Sequence, residues 1–180
     1  QRAYGEVGLP GGDLKFYKLN YQHQKFFPLT KDITLMLNGE YGFGDGYGGE
    51  PLPFFRHFYA GGIGSVRGFK SGSLGPHDDP PNHKDALGGN KRLVANAEFL
   101  MPIPGIGLDK SFRFGGFADA GYVWATSQKM RLSDLRYSIG ISVAWSSPFG
   151  PLKFSIAQPL NKKSKDQKYK DQIERFQFQM

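Results

Sequence analysis

The chain has 180 residues, a net charge of +7, no cysteine and a mean hydropathy of −0.46. No apolar run approaches the roughly 18 residues of a spanning helix. Disulfide frameworks and thiolate metal sites are excluded, and neither a basic helix nor the basic-aromatic platform of nucleic-acid binders is present.

Aromatics reach 15% and glycine numbers 25, a balance that suits strands apolar on alternate residues better than helices. Period-two alternation marks these strands in chain order. Residues 1–9 offer a weak first candidate. Residues 14–27 set Tyr17, Leu19 and Tyr21 against Lys18, Asn20 and Gln22. Residues 32–44 set Ile33, Leu35, Leu37, Tyr41 and Phe43 against Thr34, Asn38 and Glu40. Residues 91–101 set Leu93, Ala95, Ala97, Phe99 and Met101 against Arg92, Asn96 and Glu98. Residues 111–124 set Phe112, Phe114, Ala118, Ala120, Tyr122 and Trp124 against Arg113 and Asp119. Residues 135–146 set Tyr137, Ile139, Ile141, Val143 and Trp145 against Arg136, Ser138, Ser142 and Ser146. Residues 151–159 place Leu152, Phe154 and Ile156 opposite Lys153 and Ser155. The final segment sets Ile173, Phe176 and Phe178 near Arg175, Gln177 and Gln179, with an offset near Glu174 that reads as a bulge or as the true strand start.

Alternation by itself fits a soluble sandwich as well as a membrane barrel. Segment length separates the two. Spans of about nine to fourteen residues suit tilted strands crossing a bilayer, whereas a sandwich strand is nearer five or six. Tyr17, Tyr21, Tyr41, Tyr122, Trp124, Tyr137 and Trp145 fall toward strand ends, where interfacial girdles sit. Connections alternate too: tight at 28–31, long at 45–90, fairly short at 102–110, medium at 125–134, tight at 147–150 and long at 160–171. Outer-membrane barrels have short periplasmic turns and longer extracellular loops. That rule puts 45–90, 125–134 and 160–171 outside the cell. The turns at Pro28, Pro102-Ile103-Pro104-Gly105 and Pro148-Phe149-Gly150 then face the periplasm.

The connection 45–90 is too long to lack a function in a compact domain. Within it, Tyr59-Ala60-Gly61-Gly62-Ile63-Gly64-Ser65-Val66-Arg67-Gly68-Phe69 sets one arginine among glycines and aromatics. Gly61, Gly62, Gly64 and Gly68 permit positive φ and close approach of the backbone to a wall. No strand–loop–helix context supports a phosphate loop. Glu98 and Asp119 fall on the polar, inward parity of neighbouring strands, and a guanidinium offers five donors in a planar fork suited to carboxylates. A solvated loop arginine beside two ordinary lumen carboxylates is the plainer alternative. Gly115-Gly116, Gly121 and Gly140 weaken strand interiors and suggest bulges, curvature or close packing of an inserted loop. His77, Asp78, Asp79 and His83 read as incidental polarity of an exposed loop. The run Asn161–Lys170 reads as a solvated loop, or as a contact for phosphate groups of lipopolysaccharide.

Val66-Arg67-Gly68-Phe69, preceded by Phe58-Tyr59-Ala60-Gly61-Gly62, resembles the signature loop of the BamA family of outer-membrane protein assembly factors. Further runs in order resemble that family: Gly42–Gly49, Ala97-Glu98-Phe99, Phe117–Trp124, Ser147–Leu152 with Ala157-Gln158-Pro159, and Phe176-Gln177-Phe178. The resemblance covers essentially the whole chain. It implies an all-β, transmembrane, antiparallel up-and-down barrel of about eight strands, the C-terminal half of a sixteen-stranded barrel. Residues 1–180 are then a C-terminal barrel fragment, and 45–90 a long extracellular loop folded toward the lumen. Expected contacts between loop and lumen are Arg67, Gly68, Phe69, Glu98 and Asp119. Gln177 and Gln179 lie on the surviving side of the seam that receives clients. The family chain normally ends in an aromatic residue slightly beyond Met180, and is preceded by POTRA domains, so the chain reads as a piece of a longer protein.

The resemblance further implies localisation in the outer membrane of a Gram-negative bacterium. It implies assembly and insertion of nascent β-barrel proteins without enzymatic chemistry, cofactor or metal. Expected partners are unfolded outer-membrane protein clients, accessory assembly lipoproteins reached mainly through the N-terminal domains, and outer-membrane lipid and lipopolysaccharide, but no nucleic acid. A two-partner secretion transporter shares the arginine loop and is the second reading.

Overall fold

A computed structural model describes residues 1–9, 14–78, 85–103, 111–148, 150–161 and 171–180. The strands are β1 (Arg2–Val7), β2 (Phe16–Pro28), β3 (Thr34–Gly46), β4 (Gly68–Phe69), β5 (Lys91–Pro102), β6 (Phe112–Trp124), β7 (Arg136–Ser147), β8 (Gly150–Pro159), β9 (Ile173–Glu174) and β10 (Phe176–Gln179). Eight of them form one antiparallel sheet in the order β1-β2-β3-β5-β6-β7-β8-β10, each strand beside its neighbour in the chain. β4 and β9 form a separate two-stranded ribbon. The sheet is open: β1 and β10 are its edges and do not pair with each other.

Most strands follow the predicted alternation. Leu19, Leu37, Phe99, Ile139, Ile141, Ile156, Phe176 and Phe178 are exposed on the outer face, while Asn20, Glu98, Asp119, Ser138, Ser142, Ser155 and Gln177 are buried on the other. Apolar side chains outward and polar ones inward is the pattern of a wall that faces lipid. At the end of the sheet nearest the β7–β8 turn, Phe112 and Trp145, directly opposite one another, stack at 5.2 Å. The main packed cluster is not between sheets. It lies where the long β3–β5 connection folds onto the wall, joining Phe58, Val66, Phe69 and Leu74 to Val94, Val123 and Trp124.

Four local expectations are corrected here. Ile33 belongs to the turn before β3, where its carbonyl accepts from the Leu29 amide. Tyr122 and Trp124 are not girdle residues: they are 7% and 1% exposed. The β6–β7 connection covers them, and the Trp124 indole donates to Asp134 Oδ2 at 2.9 Å, giving the buried ring the polar partner it needs. Gly64 does not take positive φ, unlike Gly61, Gly62 and Gly68. His77 is buried, with Nδ1 2.9 Å from the Gly75 carbonyl, so it is not loop-surface polarity. Pro104, Gly105, Asp79, His83, Phe149 and the Lys162–Lys170 run lie outside the described residues.

Candidate functional site: an arginine loop seated on the barrel wall

The register of β5 against β6 places Asn96 opposite Asp119 and Glu98 opposite Phe117. The carboxylates of Glu98 and Asp119 therefore reach the same face of the wall from adjacent strands. Arg67 descends on that face. Its Nε donates to Asp119 Oδ2 at 2.7 Å and its Nη2 to Asp119 Oδ1 at 2.8 Å. Its own backbone amide donates to Asp119 Oδ2 at 3.0 Å. Nη1 lies 3.1 Å from Glu98 Oε1, an ion contact without the alignment of a hydrogen bond. The guanidinium carbon sits 3.4 Å from the centroid of the Phe117 ring. Burial opposes the charge, yet the hydrogen bonds and charge of Asp119, and then the charge of Glu98, outweigh it and hold the Arg67 pKa above its ordinary value.

The two acids are themselves held. Ser142 on β7 donates to Glu98 Oε1, and Lys153 on β8 donates to Glu98 Oε2 at 3.2 Å. On the other side an amide chain crosses the sheet: Gln22 donates to Asn38, Asn38 to Asn96 and Asn96 to Asp119, each at 2.9 Å. Asn96 also donates to the Ser65 carbonyl of the loop at 2.7 Å. One network thus runs from β2 to β8 with Arg67 at its centre. Hydrogen bonds that tether both acids keep the buried charges from being left without partners.

Glycine makes the fit possible at two places. Gly68 has φ +88°, and a Cβ there would stand 3.0 Å from the Ala157 Cβ. A Cβ on Gly121 of β6 would stand 2.8 Å from Val66 Cγ2. Phe69 follows, fully buried in the packed cluster.

The loop also holds the last strand. Gly68 and Phe69 pair with Glu174 and Ile173 as the β4–β9 ribbon, and the Lys70 amide donates to the Gln172 carbonyl at 2.9 Å. Gln177 Nε2 donates to the Phe69 carbonyl at 2.7 Å, and the Gly68 amide reaches Gln177 Oε1 at 3.4 Å. The predicted offset falls at Arg175. Residues before it pair with the loop, and residues after it pair with β8. Gln177 and Gln179, expected on the surviving side of the seam, both lie on the edge strand β10; the Gln177 amide turns inward and is occupied by the loop, whereas Gln179 is exposed.

A second buried arginine, Arg136, pairs in a way the sequence does not signal. Arg136 Nε donates to Asp171 Oδ2 at 2.7 Å and Nη1 to the Asp134 carbonyl at 2.8 Å, while the guanidinium lies 5.2 Å from the Tyr122 centroid. It ties the β6–β7 connection to the segment leading into β9. Alternation marked Arg136 as inward, but no local signal pairs it with an aspartate 35 residues away. Among the described residues no group of three His, Asp or Glu side chains could hold a metal ion.

The model of the Omp85 superfamily domain matches residues 2–180. The outer membrane protein assembly factor BamA of Neisseria meningitidis is 43% identical over 97% of this chain and 25% of its own length. The BamA of Nitratidesulfovibrio vulgaris is 30% identical over 94% of this chain and 21% of its own. The crystal structure of BamA from Haemophilus ducreyi lacking POTRA domains 1–3 superimposes with a TM-score of 0.85 at 32% identity, covering 97% of this chain and 36% of that one. The chain therefore spans about a quarter of the length of the curated relatives it matches.

Proposed function

This chain belongs to the Omp85 superfamily, and we propose that it is the barrel portion of an outer-membrane protein assembly factor in a Gram-negative bacterium. Its parent would fold and insert nascent β-barrel proteins by strand pairing, without enzymatic chemistry. Unfolded outer-membrane proteins are the clients. Accessory lipoproteins would bind mainly through domains beyond this chain, and lipopolysaccharide would meet the lysine-rich β8–β9 connection.

One observation carries this reading: a buried arginine loop is fastened both to the wall through Asp119 and Glu98 and to the edge strand β10 through Gln177. Among the described residues β10 is the edge strand of the sheet. Unpaired edge amides and carbonyls are strongly adhesive, and in lipid they must find partners. A client strand satisfies them by β-augmentation. The loop then acts as a strut that keeps the edge in a receptive position.

The test is reconstitution of the full-length protein in liposomes, followed by protease protection of an unfolded client barrel. Folding faster than in empty liposomes supports the reading. No acceleration, with passage of unfolded polypeptide into the lumen instead, would establish the secretion-transporter reading.

A further inference from the structure

A small polar cup lies between the end of β6 and the β6–β7 connection. Its volume is about 370 Å³, and Tyr122, Ser127, Gln128, Lys129, Arg131 and Asp134 line it. That size stands at the lower end of the range of about 300–1,000 Å³ typical of ligand sites. The rim is held in place by hydrogen bonds. Lys91 on β5 donates to the Thr126 and Gln128 carbonyls at 3.1 and 3.0 Å. The Gln128 amide donates to the Ala125 carbonyl at 3.0 Å, and the Ala125 amide to Gln128 Oε1 at 3.1 Å. A 3₁₀ turn, Leu132–Asp134, brings Asp134 to the cup.

The acidic and amide acceptors of the cup are engaged, while its donors are spare. Gln128 Oε1 accepts from Ala125, and Asp134 Oδ2 from the Trp124 indole. Among the described residues, the Tyr122 and Ser127 hydroxyls, Gln128 Nε2 and the charged heads of Lys129 and Arg131 make no hydrogen bond or ion pair. Tyr122 is the sharpest case. It is only 7% exposed, its ring meets Trp124 edge-on at 5.3 Å, and the Arg136 guanidinium lies 5.2 Å from its centroid. A hydroxyl held in such a place without a partner is costly. Its oxygen is not sealed inside the protein, however, so it opens to the cup that the residue lines.

Spare donors, with two cations against one acid, call for an anion. A guanidinium matches phosphate in a bidentate manner, and a lysine meets it as a point charge. Resting on the outer-membrane reading above, we propose that this cup binds a phosphate group, with the Tyr122 hydroxyl donating from the floor and Lys129 and Arg131 supplying charge at the rim. On that reading the β6–β7 connection stands outside the cell, where phosphate is carried by lipopolysaccharide or is free in solution.

Hydrogen exchange of the full-length protein in detergent, read at residues 125–134, provides the test. The probes are inorganic phosphate, lipopolysaccharide and dephosphorylated lipopolysaccharide. A phosphate-bearing probe is expected to slow exchange in the wild type, and the dephosphorylated one to leave it unchanged. The half-maximal concentration should rise about tenfold in Tyr122→Phe, the scale of one hydrogen bond to a charged group. That variant removes a hydroxyl without an internal partner, so the fold is kept. Arg131→Gln, at an exposed position, should raise it by a similar factor. Slowing by lipopolysaccharide where inorganic phosphate has no effect makes the lipid headgroup the ligand, and slowing by inorganic phosphate alone makes it the free ion. No slowing by either, equal slowing by dephosphorylated lipopolysaccharide, or an unchanged half-point in Tyr122→Phe overturns the proposal. Client folding in liposomes is scored separately, so the assembly reading and this site can fail independently.

Discussion

Arg67 directs three donors, its backbone amide, Nε and Nη2, at the two oxygens of Asp119. A side chain and the backbone that carries it are thereby fixed by a single carboxylate, so the loop cannot slide along the wall without breaking all three bonds. Arg67→Ala would leave Asp119 with a buried, unmatched charge, while Glu98 keeps Lys153, and should cost about 3–5 kcal/mol. Arg67→Lys keeps the charge but loses the fork, and is expected to cost about 1–3 kcal/mol. Urea titration of the full-length protein in detergent measures both. Lysine performing as well as arginine would refute the role given to bidentate geometry.

Gln177 couples that anchored loop to the last strand. Gln177→Leu removes the donor to the Phe69 carbonyl and should cost about 1–3 kcal/mol. The loss is expected to be local, because the β5–β6 network does not depend on it. Hydrogen exchange should quicken in Phe176–Gln179 and stay unchanged in Lys91–Pro102. Equal acceleration in both strands would mean that Gln177 supports the whole wall.

Arg136 and Asp171 clamp the cap. Their ion pair is 5% exposed on each side chain and sits beneath the β6–β7 connection. Asp171→Asn should loosen that connection and let the backbone at the already exposed Lys129 and Arg131 open to trypsin, with cleavage several times faster, as a loss of about 1 kcal/mol in local stability predicts. Unaltered cleavage would assign the connection's order to Trp124 and Tyr122 alone.

Gly68→Ala tests the seat of the loop. The added methyl meets the Ala157 side chain and demands φ +88° of an L-residue, so a cost of about 1–2 kcal/mol is expected from the backbone alone. Combining it with Ala157→Gly removes the tightest contact but neither the strain nor the approach to Pro159 at 3.3 Å, and only partial recovery should follow. Full recovery in the double variant would show that packing, not conformation, selects glycine.

Most strands and the faces of their residues were legible in the chain because period-two alternation is local: each residue's side of the sheet follows from its neighbours. The inward parity of Glu98 and Asp119 and the glycine-rich setting of Arg67 pointed to the site. The amide chain Gln22-Asn38-Asn96 was visible only as three polar residues on three strands. Pairing register joined them into a line ending on Asp119.

Tertiary structure decided what lies over each face. Tyr122 and Trp124 have the outward parity of girdle residues, yet a connecting loop wraps them. Gln177 has the parity of a lumen residue on an edge strand, yet its partner is a carbonyl 108 residues earlier. Alternation assigns a direction to a side chain but cannot say what stands in that direction. That depends on where a long loop returns, which is settled by burial, shape and charge across the whole wall.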